Sequence, residues 1–396
     1  MKKLQHLIPI FALALVFIPG ITGAQNDSAA QVHHIAIFAP LFLDSAFDET
    51  GVYRFDKSFP KFLNPGLEFF EGAQLAADSL QKEGVKLEIT LYDTRSTKQT
   101  LSQILQGSGF QNTELIIGHV SATELRQLAV AALHKNIPFI NANLPNDGNI
   151  TGNQSLVMLN STLKTHCEGI YKYLQRNHAT QTIYVFNKKG PMEDKLKGYF
   201  TDIEKNTSAV PLKLKFISLE NNFETKQLKN YLDSNRQNVF VAASLDEAFA
   251  KNLCFQFSSL AKTYPTTIIG MPTWDNISDF SQPLYNGLEI MYSTPFYTNP
   301  SDSLAVRVQQ YFKNNFYMRP SDLVFRGFET LYHFAKLLQV YGSNINGNIG
   351  QRKFNLFGNF DIQPVYLNKQ NTVPDYFENK KLYFIKKVDG NVSAVN

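Results

Sequence analysis

The sequence is poor in cysteine and tryptophan, and it has no strong excess of charge of either sign. It contains two cysteines and one tryptophan among 396 residues, with 38 Lys and Arg against 34 Asp and Glu. Two cysteines cannot by themselves build a zinc cage. A formal net charge of +4 gives no electrostatic reason to expect binding to nucleic acid or to an anionic membrane.

The sequence also lacks the local motifs of common catalytic sites. It has no HExxH, no GxSxG and no GxxxxGK[ST], and Gly107-Ser108-Gly109 lacks the strand and helix context of a phosphate loop. His33 and His34 are adjacent on a predicted strand, so their side chains point to opposite faces. We therefore predict no enzyme activity, no metal site and no cofactor.

Long apolar runs are missing except near the amino terminus. There, Lys2 and Lys3 precede an apolar segment over 7–21, and Thr22-Gly23-Ala24 supplies small residues for cleavage. This pattern predicts a signal peptide over 1–24, cleaved near Ala24, which lowers the formal charge from +4 to +2 by removing the two lysines. No later run approaches roughly 20 apolar residues, so the chain is not expected to span a membrane. No cysteine follows the apolar segment, which argues against a lipid anchor.

The two cysteines, Cys167 and Cys254, each fall on the apolar stripe of a predicted helix. This position favours two buried thiols, in keeping with the general burial of cysteine. A disulfide between them remains an alternative, because an exported protein meets an oxidising compartment.

Apolar residues are abundant, at 43%, and the aromatic share is 13%. This composition predicts a large core, in two domains. Strands and helices alternate along the chain, which indicates parallel sheets with helices on both faces. The first unit has predicted strands at 32–39, 85–92, 115–117 and 137–140, and the pattern restarts with strands at 182–186, 212–218, 238–243 and 266–270.

The segment 115–145 is the most informative for function. Its first strand ends at Gly118, and Ser121 lies three residues before Glu124, which is a capping-box pattern for a helix start. The next strand ends in the polar turn of Asn141 and Asn143. Ligands bind at the carboxyl ends of strands in open α/β sheets, so Ser121, Thr123, Asn141 and Asn143 are candidate ligand-binding residues. The alternative is that they only cap a helix and form turns.

Three stretches carry a resemblance to a known family. They are Glu71-Gly72-Ala73-Gln74-Leu75-Ala76-Ala77 with the strand 87–93 that ends in Asp93, Ile117-Gly118-His119-Val120-Ser121, and Pro320-Ser321 with the helix after it. Together with the order of elements, they resemble the type I periplasmic binding proteins, the group that contains the branched-chain amino acid receptors of ABC transporters. The resemblance implies an α/β fold of two doubly wound parallel-sheet lobes joined by three crossings.

The resemblance also implies the division of the chain and its location. The crossings are expected near Leu159, Pro295 and Gly347. Lobe 1 would comprise 30–158 plus 296–345, and lobe 2 would comprise 159–295 plus 346–396. The protein is expected in the periplasm, where the lobes close by a hinge around a ligand.

Further site residues follow from the resemblance. Ala122 stands where the family has a ligand-binding serine, and Pro145 falls near a threonine that the amino acid receptors use. In the second lobe, the corresponding turns carry Lys188, Ser244 and Trp274. A cleft lysine would favour an anionic ligand, whereas an exposed one is merely solvated. Trp274 would either stack on a ligand ring or pack in the lobe.

We therefore expect a non-catalytic periplasmic solute-binding protein. It would trap a small polar ligand, amino acid-like or anionic, and present it to a membrane permease or receptor. The alternative is a cell-envelope interaction scaffold of the same fold, linked to peptidoglycan. In that alternative the aromatic-rich loop 44–65 lies at the mouth of the cleft and either plugs it or presents a surface to an envelope protein.

Overall fold

The computed structural model describes residues 31–220 and 222–395, and within them 14 strands form two seven-stranded sheets. The predicted signal peptide lies outside the described residues. The strands are β1 (His33–Ala39), β2 (Leu87–Asp93), β3 (Leu115–Gly118), β4 (Phe139–Asn141), β5 (Leu156–Met158), β6 (Thr182–Asn187), β7 (Lys213–Ser218), β8 (Asn238–Ala242), β9 (Thr266–Gly270), β10 (Glu289–Thr294), β11 (Ile362–Val365), β12 (Tyr376–Asn379), β13 (Tyr383–Val388) and β14 (Asn391–Val395).

Helices flank both sheets. They are α1 (Leu43–Ala46), α2 (Asn64–Lys82), α3 (Leu101–Gln106), α4 (Ser108–Gln111), α5 (Ala122–Lys135), α6 (Leu163–His178), α7 (Pro191–Asn206), α8 (Thr225–Leu228), α9 (Glu247–Ser258), α10 (Ser303–Phe316) and α11 (Asp322–Tyr341). Among the described residues, none of these helices is both long and apolar enough to cross a membrane.

The two sheets have matching topologies. The first has the order β11-β12-β5-β4-β3-β1-β2 and the second has the order β14-β13-β10-β9-β8-β6-β7. The central strands pair in parallel and are buried on both faces. Among the described strands, antiparallel pairs occur only towards one edge of each sheet, at β11–β12, β10–β13 and β13–β14. The predicted fold class, two doubly wound and mainly parallel sheets, is confirmed.

Within the described residues, three short segments connect the two sheets. They are residues 159–162 between β5 and α6, residues 295–302 between β10 and α10, and residues 380–382 between β12 and β13. The first two lie at the predicted positions, Leu159 and Pro295. The predicted third crossing, near Gly347, is wrong, because Gly347 lies in the 3-10 turn Gly342–Asn348 and the chain then stays with the first sheet.

The carboxyl-terminal tail is therefore divided between the sheets. β12 pairs in parallel with β5, with Phe377 opposite Val157, and β11 pairs with β12. Only β13 and β14 join the second sheet. The prediction that all of 346–396 belongs to lobe 2 is thus wrong for 346–379, because burial of Ile362 and Tyr376 ties that segment to the first sheet.

A buried polar network joins the first and third crossings. The Ser161 hydroxyl donates to the Asn379 carbonyl at 2.6 Å. The Glu378 carboxylate is almost fully buried and accepts from the Thr162 backbone N–H at 2.6 Å and from the Lys380 ammonium at 2.6 Å. The two crossings therefore run side by side as one hydrogen-bonded unit.

Cys167 and Cys254 are both buried free thiols, as the helical pattern predicts. They belong to different hydrophobic clusters, and neither forms a disulfide in this structure. Burial raises the pKa of each thiol above its ordinary value.

Buried histidines should make the protein acid-sensitive. Burial lowers the pKa of His166 to about 3 and that of His333 to about 4. Their neutral forms are favoured in the folded state, so the stability they contribute is present above pH 6.5 and is lost as the pH falls towards the folded pKa. Glu329 has the opposite effect on the pH dependence of stability. Burial raises its pKa to about 7, so the folded state favours its protonated form.

The prediction is tested with His333→Phe, whose ring suits the neighbouring rings of Phe334 and Phe360. We expect unfolding free energies from urea titrations to fall between pH 6.5 and 4.5 in the wild type, and to fall by roughly 2–3 kcal/mol less in the variant. An equal pH dependence in both proteins would contradict a buried neutral His333.

Candidate functional site

The turn after β3 begins the candidate site, and Ser121 caps α5 as predicted. Its hydroxyl accepts from the Glu124 N–H at 3.5 Å, and the Glu124 carboxylate accepts from the Ser121 N–H at 2.7 Å. Glu124 is buried and pairs with Arg95 at 3.4 Å. The main chain and hydroxyl of Ser121 are therefore engaged within the turn.

Asn141 and Asn143 hold the adjacent turn together. The Asn141 side chain donates to the Leu144 carbonyl at 2.9 Å and accepts from the Leu144 N–H at 3.1 Å. Asn143 accepts from the Val120 N–H at 2.8 Å and donates to the Val120 carbonyl at 2.9 Å. Both amides thus have the structural role that was the alternative to ligand binding.

Ala122 and Thr123 occupy the first turn of α5, and both are exposed. Neither side chain takes part in the capping contacts between Ser121 and Glu124. This part of the predicted site remains accessible to a solute.

The predicted residues of the second sheet are mostly engaged with protein partners. The Lys188 ammonium pairs with Asp246 at 2.5 Å, and Asp246 caps α9 by accepting from the Phe249 N–H at 2.7 Å. The Ser244 hydroxyl is buried and donates to Glu193 at 2.5 Å. Lys188 is therefore neutralised by Asp246, and Ser244 is not accessible to a ligand in this structure.

Trp274 packs inside the second lobe. It is 1% exposed, and its ring lies directly on Gly270, where an added Cβ would be 1.9 Å from Trp274 Cδ2. Phe280 packs against it with the ring centroids 5.1 Å apart. Of the two alternatives for this residue, the structure has the packing one, so Trp274 presents no free ring face to a ligand.

A different set of residues provides free polar groups between the sheets. The Arg326 guanidinium, on α11, lies over the ring of Phe296 with its carbon 3.6 Å from the ring centroid. Phe296 belongs to the second crossing. The Nε of Arg326 is buried and has no hydrogen-bond acceptor among the described residues. A cavity of about 20 Å³, roughly the space of one water, is lined by Phe296, Asp322 and Arg326.

The second sheet contributes an acid and a phenol to the same place. Asp275 lies in the 3-10 turn after β9, and Tyr292 is a buried residue of β10. Burial and then the Asp275 carboxylate raise the pKa of Tyr292. Desolvation and then the same carboxylate raise the pKa of Asp322, which lies on α11 beside the first sheet. Asp275 is solvent-exposed, and Asp322 keeps part of its surface in contact with solvent although its carboxyl group is partly desolvated, so a solute can reach both.

His119, in the turn after β3, completes this group. Burial and then the nearby Arg326 charge lower its pKa to about 4, so the imidazole is neutral at pH 7. Its Nδ1 is buried and has no partner among the described residues. We call His119, Asp275, Tyr292, Phe296, Asp322 and Arg326 the Arg326 cluster.

Sequence reasoning missed the Arg326 cluster. One signal was available, since Arg326 interrupts the apolar pattern of a helix whose neighbouring residues Phe325 and Phe328 are buried. A charged residue within such a stripe indicates either a buried pair or a site. Asp275 and Tyr292 offered no comparable local signal.

Comparisons with solved structures bear on the fold. A branched-chain amino acid ABC transporter periplasmic ligand-binding protein from Burkholderia xenovorans has a TM-score of 0.61 at 11% identity, over 92% of this chain and 95% of that one. An ABC transporter substrate-binding protein from Desulfitobacterium hafniense has a TM-score of 0.59 at 12% identity, over 92% and 100%. The chain has the type I periplasmic binding protein fold.

A third similar structure is longer than this chain. Full-length LpoA from Haemophilus influenzae has a TM-score of 0.57 at 12% identity, over 92% of this chain and 59% of LpoA. No protein-family model matches the sequence, and no curated protein matches it. The similarity is therefore one of fold, and the function has to be argued from the site.

Proposed function

We propose that the protein is a solute-binding protein that traps a small polar ligand between its two lobes and presents it to a membrane transporter or receptor. The observation that carries this proposal is the Arg326 cluster, which combines charged and polar groups from both sheets beside the second crossing. Ligand sites commonly form at such interfaces, with a few convergent polar groups. The similarity to substrate-binding structures supports the same function.

Each proposed lobe is built around one of the two sheets. We propose that lobe 1 comprises 32–158 and 296–379, and that lobe 2 comprises 159–295 and 380–395. The three crossings are short, as a hinge between two rigid bodies requires. The proposed ligand site comprises the Arg326 cluster and the exposed first turn of α5 at Ala122 and Thr123.

We also propose that this function is carried out in the periplasm. The support is the signal-peptide pattern over 1–24 and the periplasmic binding fold of the remaining chain. The partner would be a transporter or receptor in the adjacent membrane. A binding role of this kind needs no catalytic group.

The proposal is tested by thermal unfolding and calorimetric titration of refolded, ligand-free protein against amino acids, short peptides, sugars and nucleotides. A ligand at 100 times its Kd should stabilise the folded state by about 2.7 kcal/mol. Closure of the lobes should reduce the radius of gyration in small-angle scattering. If no compound of the four classes shifts thermal unfolding or gives binding heat, in protein with a cooperative unfolding transition, solute binding would be contradicted.

The exposed apolar surface of the loop 44–65 favours the scaffold alternative. No residue of the loop 44–65 lines the small cavity beside Arg326. Its rings pack in a series of edge contacts between Phe47, Tyr53, Phe55 and Phe62. Val52 and Phe59 are 61% and 53% exposed, so the loop presents an apolar surface.

A photo-crosslinking residue at Phe59 tests this alternative, with the same residue at the 78% exposed Val210 as a control. Crosslinks to cell-wall proteins from Phe59 alone would favour the scaffold. Equal yields from both positions would count against it.

A further inference from the structure

Helices α2 and α11 lie side by side in parallel, so the segments that precede them are at the same end of the first sheet. The Ser321 hydroxyl, at the start of α11, donates to the Glu68 carboxylate in the first turns of α2. Further along both helices, the Tyr332 hydroxyl donates to Glu83 at 2.8 Å. A Cβ at Gly66 would collide with the backbone just after β1, so this end is the carboxyl edge of the sheet.

The two segments present exposed apolar side chains. These are Phe59 and Phe62 before α2, and Phe316, Tyr317 and Met318 where α10 ends and the chain turns into α11. The ring of Phe62 packs edge-on against those of Phe42 and Phe55, with centroids 5.1 and 6.1 Å away. The Tyr53 hydroxyl donates to the Ser58 carbonyl at 2.9 Å. The loop before α2 is therefore held in one shape, with exposed rings on its outside.

Tyr317 adopts a backbone conformation that disfavours a bulky side chain. It ends α10 with a φ of 56°, in the left-handed region where glycine or asparagine is usual. Its side chain is 91% exposed, so burial within the chain does not offset this strain. An exposed ring on a strained backbone indicates a contact outside the fold.

Cations lie among these apolar side chains. Residues 54–61 and 313–319 contain five Lys and Arg and a single acid, Asp56. Lys57, Lys61, Lys313 and Arg319 are exposed, and none of the four forms a salt bridge with an acid in the described part of the chain. The small net charge of the whole chain therefore conceals a local excess of positive charge.

The acids of the loop before α2 do not cancel this excess. Asp44 pairs with Lys98 at 3.5 Å, and Asp48 accepts from backbone N–H groups of its own turn. Glu49 and Asp56 are exposed. With Lys98 included, the region has six cations against these four acids, and it remains positive.

We propose that these residues form a surface that docks on the anionic lipids of a membrane. This aromatic-basic surface comprises Phe59, Phe62, Phe316, Tyr317 and Met318 with Lys57, Lys61, Lys313 and Arg319. Aromatic and apolar side chains of this kind enter the headgroup boundary, while Lys and Arg extend to the lipid phosphates. A folded protein partner would have to place its acids in one fixed pattern, whereas lipid headgroups rearrange to meet the cations.

Docking at this surface turns the carboxyl edge of the first sheet towards the membrane. The turn after β3, which contributes His119 to the candidate site, follows the same edge. A solute bound there would be held close to a membrane partner. The inference goes beyond solute binding and does not depend on it, because lipid binding is measured without any solute.

Co-sedimentation with vesicles tests the proposal. The protein is used without residues 1–24, since the apolar segment 7–21 would bind lipid by itself. We expect binding to vesicles of phosphatidylglycerol and phosphatidylcholine, at least about ten-fold weaker binding to phosphatidylcholine alone, and loss of binding at high salt.

Charge removal locates the binding surface. Each Lys or Arg at an anionic surface is worth roughly a five-fold factor in binding, so Lys57→Gln/Lys61→Gln/Arg319→Gln should weaken it about 100-fold. The matched control, Lys213→Gln/Lys215→Gln/Lys229→Gln, removes the same charge from exposed positions of the second lobe. It should weaken binding by about five-fold or less.

Tyr317 separates lipid binding from a structural role. Tyr317→Gly should weaken vesicle binding and should melt at or above the wild-type temperature, because glycine adopts this φ without strain. In Tyr317→Trp, the emission should shift to the blue on anionic vesicles, against the constant background of the buried Trp274. The same substitution at the exposed Val210 should give no shift.

Three results would overturn the inference. They are no sedimentation with anionic vesicles, equal losses from the two triple variants, and an emission of Tyr317→Trp that vesicles leave unchanged. Crosslinks from Phe59 to envelope proteins, in a protein that binds no vesicles, would assign this surface to a protein partner and would also overturn lipid docking.

Discussion

Gly72→Val is expected to destabilise the protein by about 3 kcal/mol or more, because the contact between α2 and α11 has no room for a side chain. A Cβ at Gly72 would lie 1.9 Å from the Val324 carbonyl oxygen, and one at Gly327 would lie 2.0 Å from the Phe69 carbonyl oxygen. Both obstacles are backbone atoms, so the helices themselves would have to separate. Separation would expose buried residues such as Phe69 and Phe328.

Urea unfolding monitored by circular dichroism measures this effect, with Gly198→Ala as the control. Gly198 lies within α7, and a Cβ there would meet no atom within 4 Å. Alanine should therefore raise stability by roughly 0.5–1 kcal/mol, because glycine is a poor helix former. Gly72→Val with the wild-type urea midpoint would show that the helices are not in this close contact.

Glu378→Gln is expected to cost about 3 kcal/mol, because it leaves the Lys380 ammonium without its carboxylate. The carboxylate also accepts from the Thr162 N–H, at the start of α6, and so joins the first and third crossings. The substitution should loosen this unit as well as lower stability. We therefore expect a weaker ligand affinity together with a lower urea midpoint.

Two comparisons check the origin of this effect. The double variant Glu378→Gln/Lys380→Met removes both charges and should recover part of the lost stability. Glu88→Gln, at an exposed carboxylate on β2 of the same sheet, should stay within about 0.5 kcal/mol of the wild type. Equal losses from Glu378→Gln and the double variant would argue against an ion-pair contribution.

Local patterns predicted those features whose partners are close in sequence. The capping box of Ser121 and Glu124 needs only three residues of chain, and it is present as predicted. The cysteine positions on helical stripes likewise predicted burial correctly. Strand and helix alternation predicted parallel sheets because parallel strands need a long crossover between them.

The predicted position of the third crossing was wrong because it depends on residues that are far apart in sequence. Its position depends on the pairing of β12 with β5, where Phe377 lies opposite Val157. Residues so far apart in sequence give no periodic signal of their pairing. The prediction near Gly347 was made by analogy with the family, and the tail of this chain adds two strands to the first sheet before it crosses.

The predicted site residues lie at the sheet edge, but most of their polar groups are engaged within the protein, and their role in ligand binding stays a prediction. Ser121, Asn141 and Asn143 do lie in the turns after β3 and β4, yet their polar groups bind neighbouring backbone or side chains. Sequence reasoning could not tell a hydroxyl or amide engaged in a turn from one left free for a ligand. That distinction depends on where the acceptors lie in three dimensions.

The sequence by itself determined the alternating α/β architecture, the capped turn after β3 and the absence of common catalytic motifs. Each of these depends on residues that are close to one another in sequence. Only the tertiary structure decided the path of the tail and the composition of the candidate site. Arg326, Phe296 and Asp275 come from a helix, a crossing and a turn of different parts of the fold. The stack of Arg326 on Phe296 and the burial of its Nε arise only when these segments pack together.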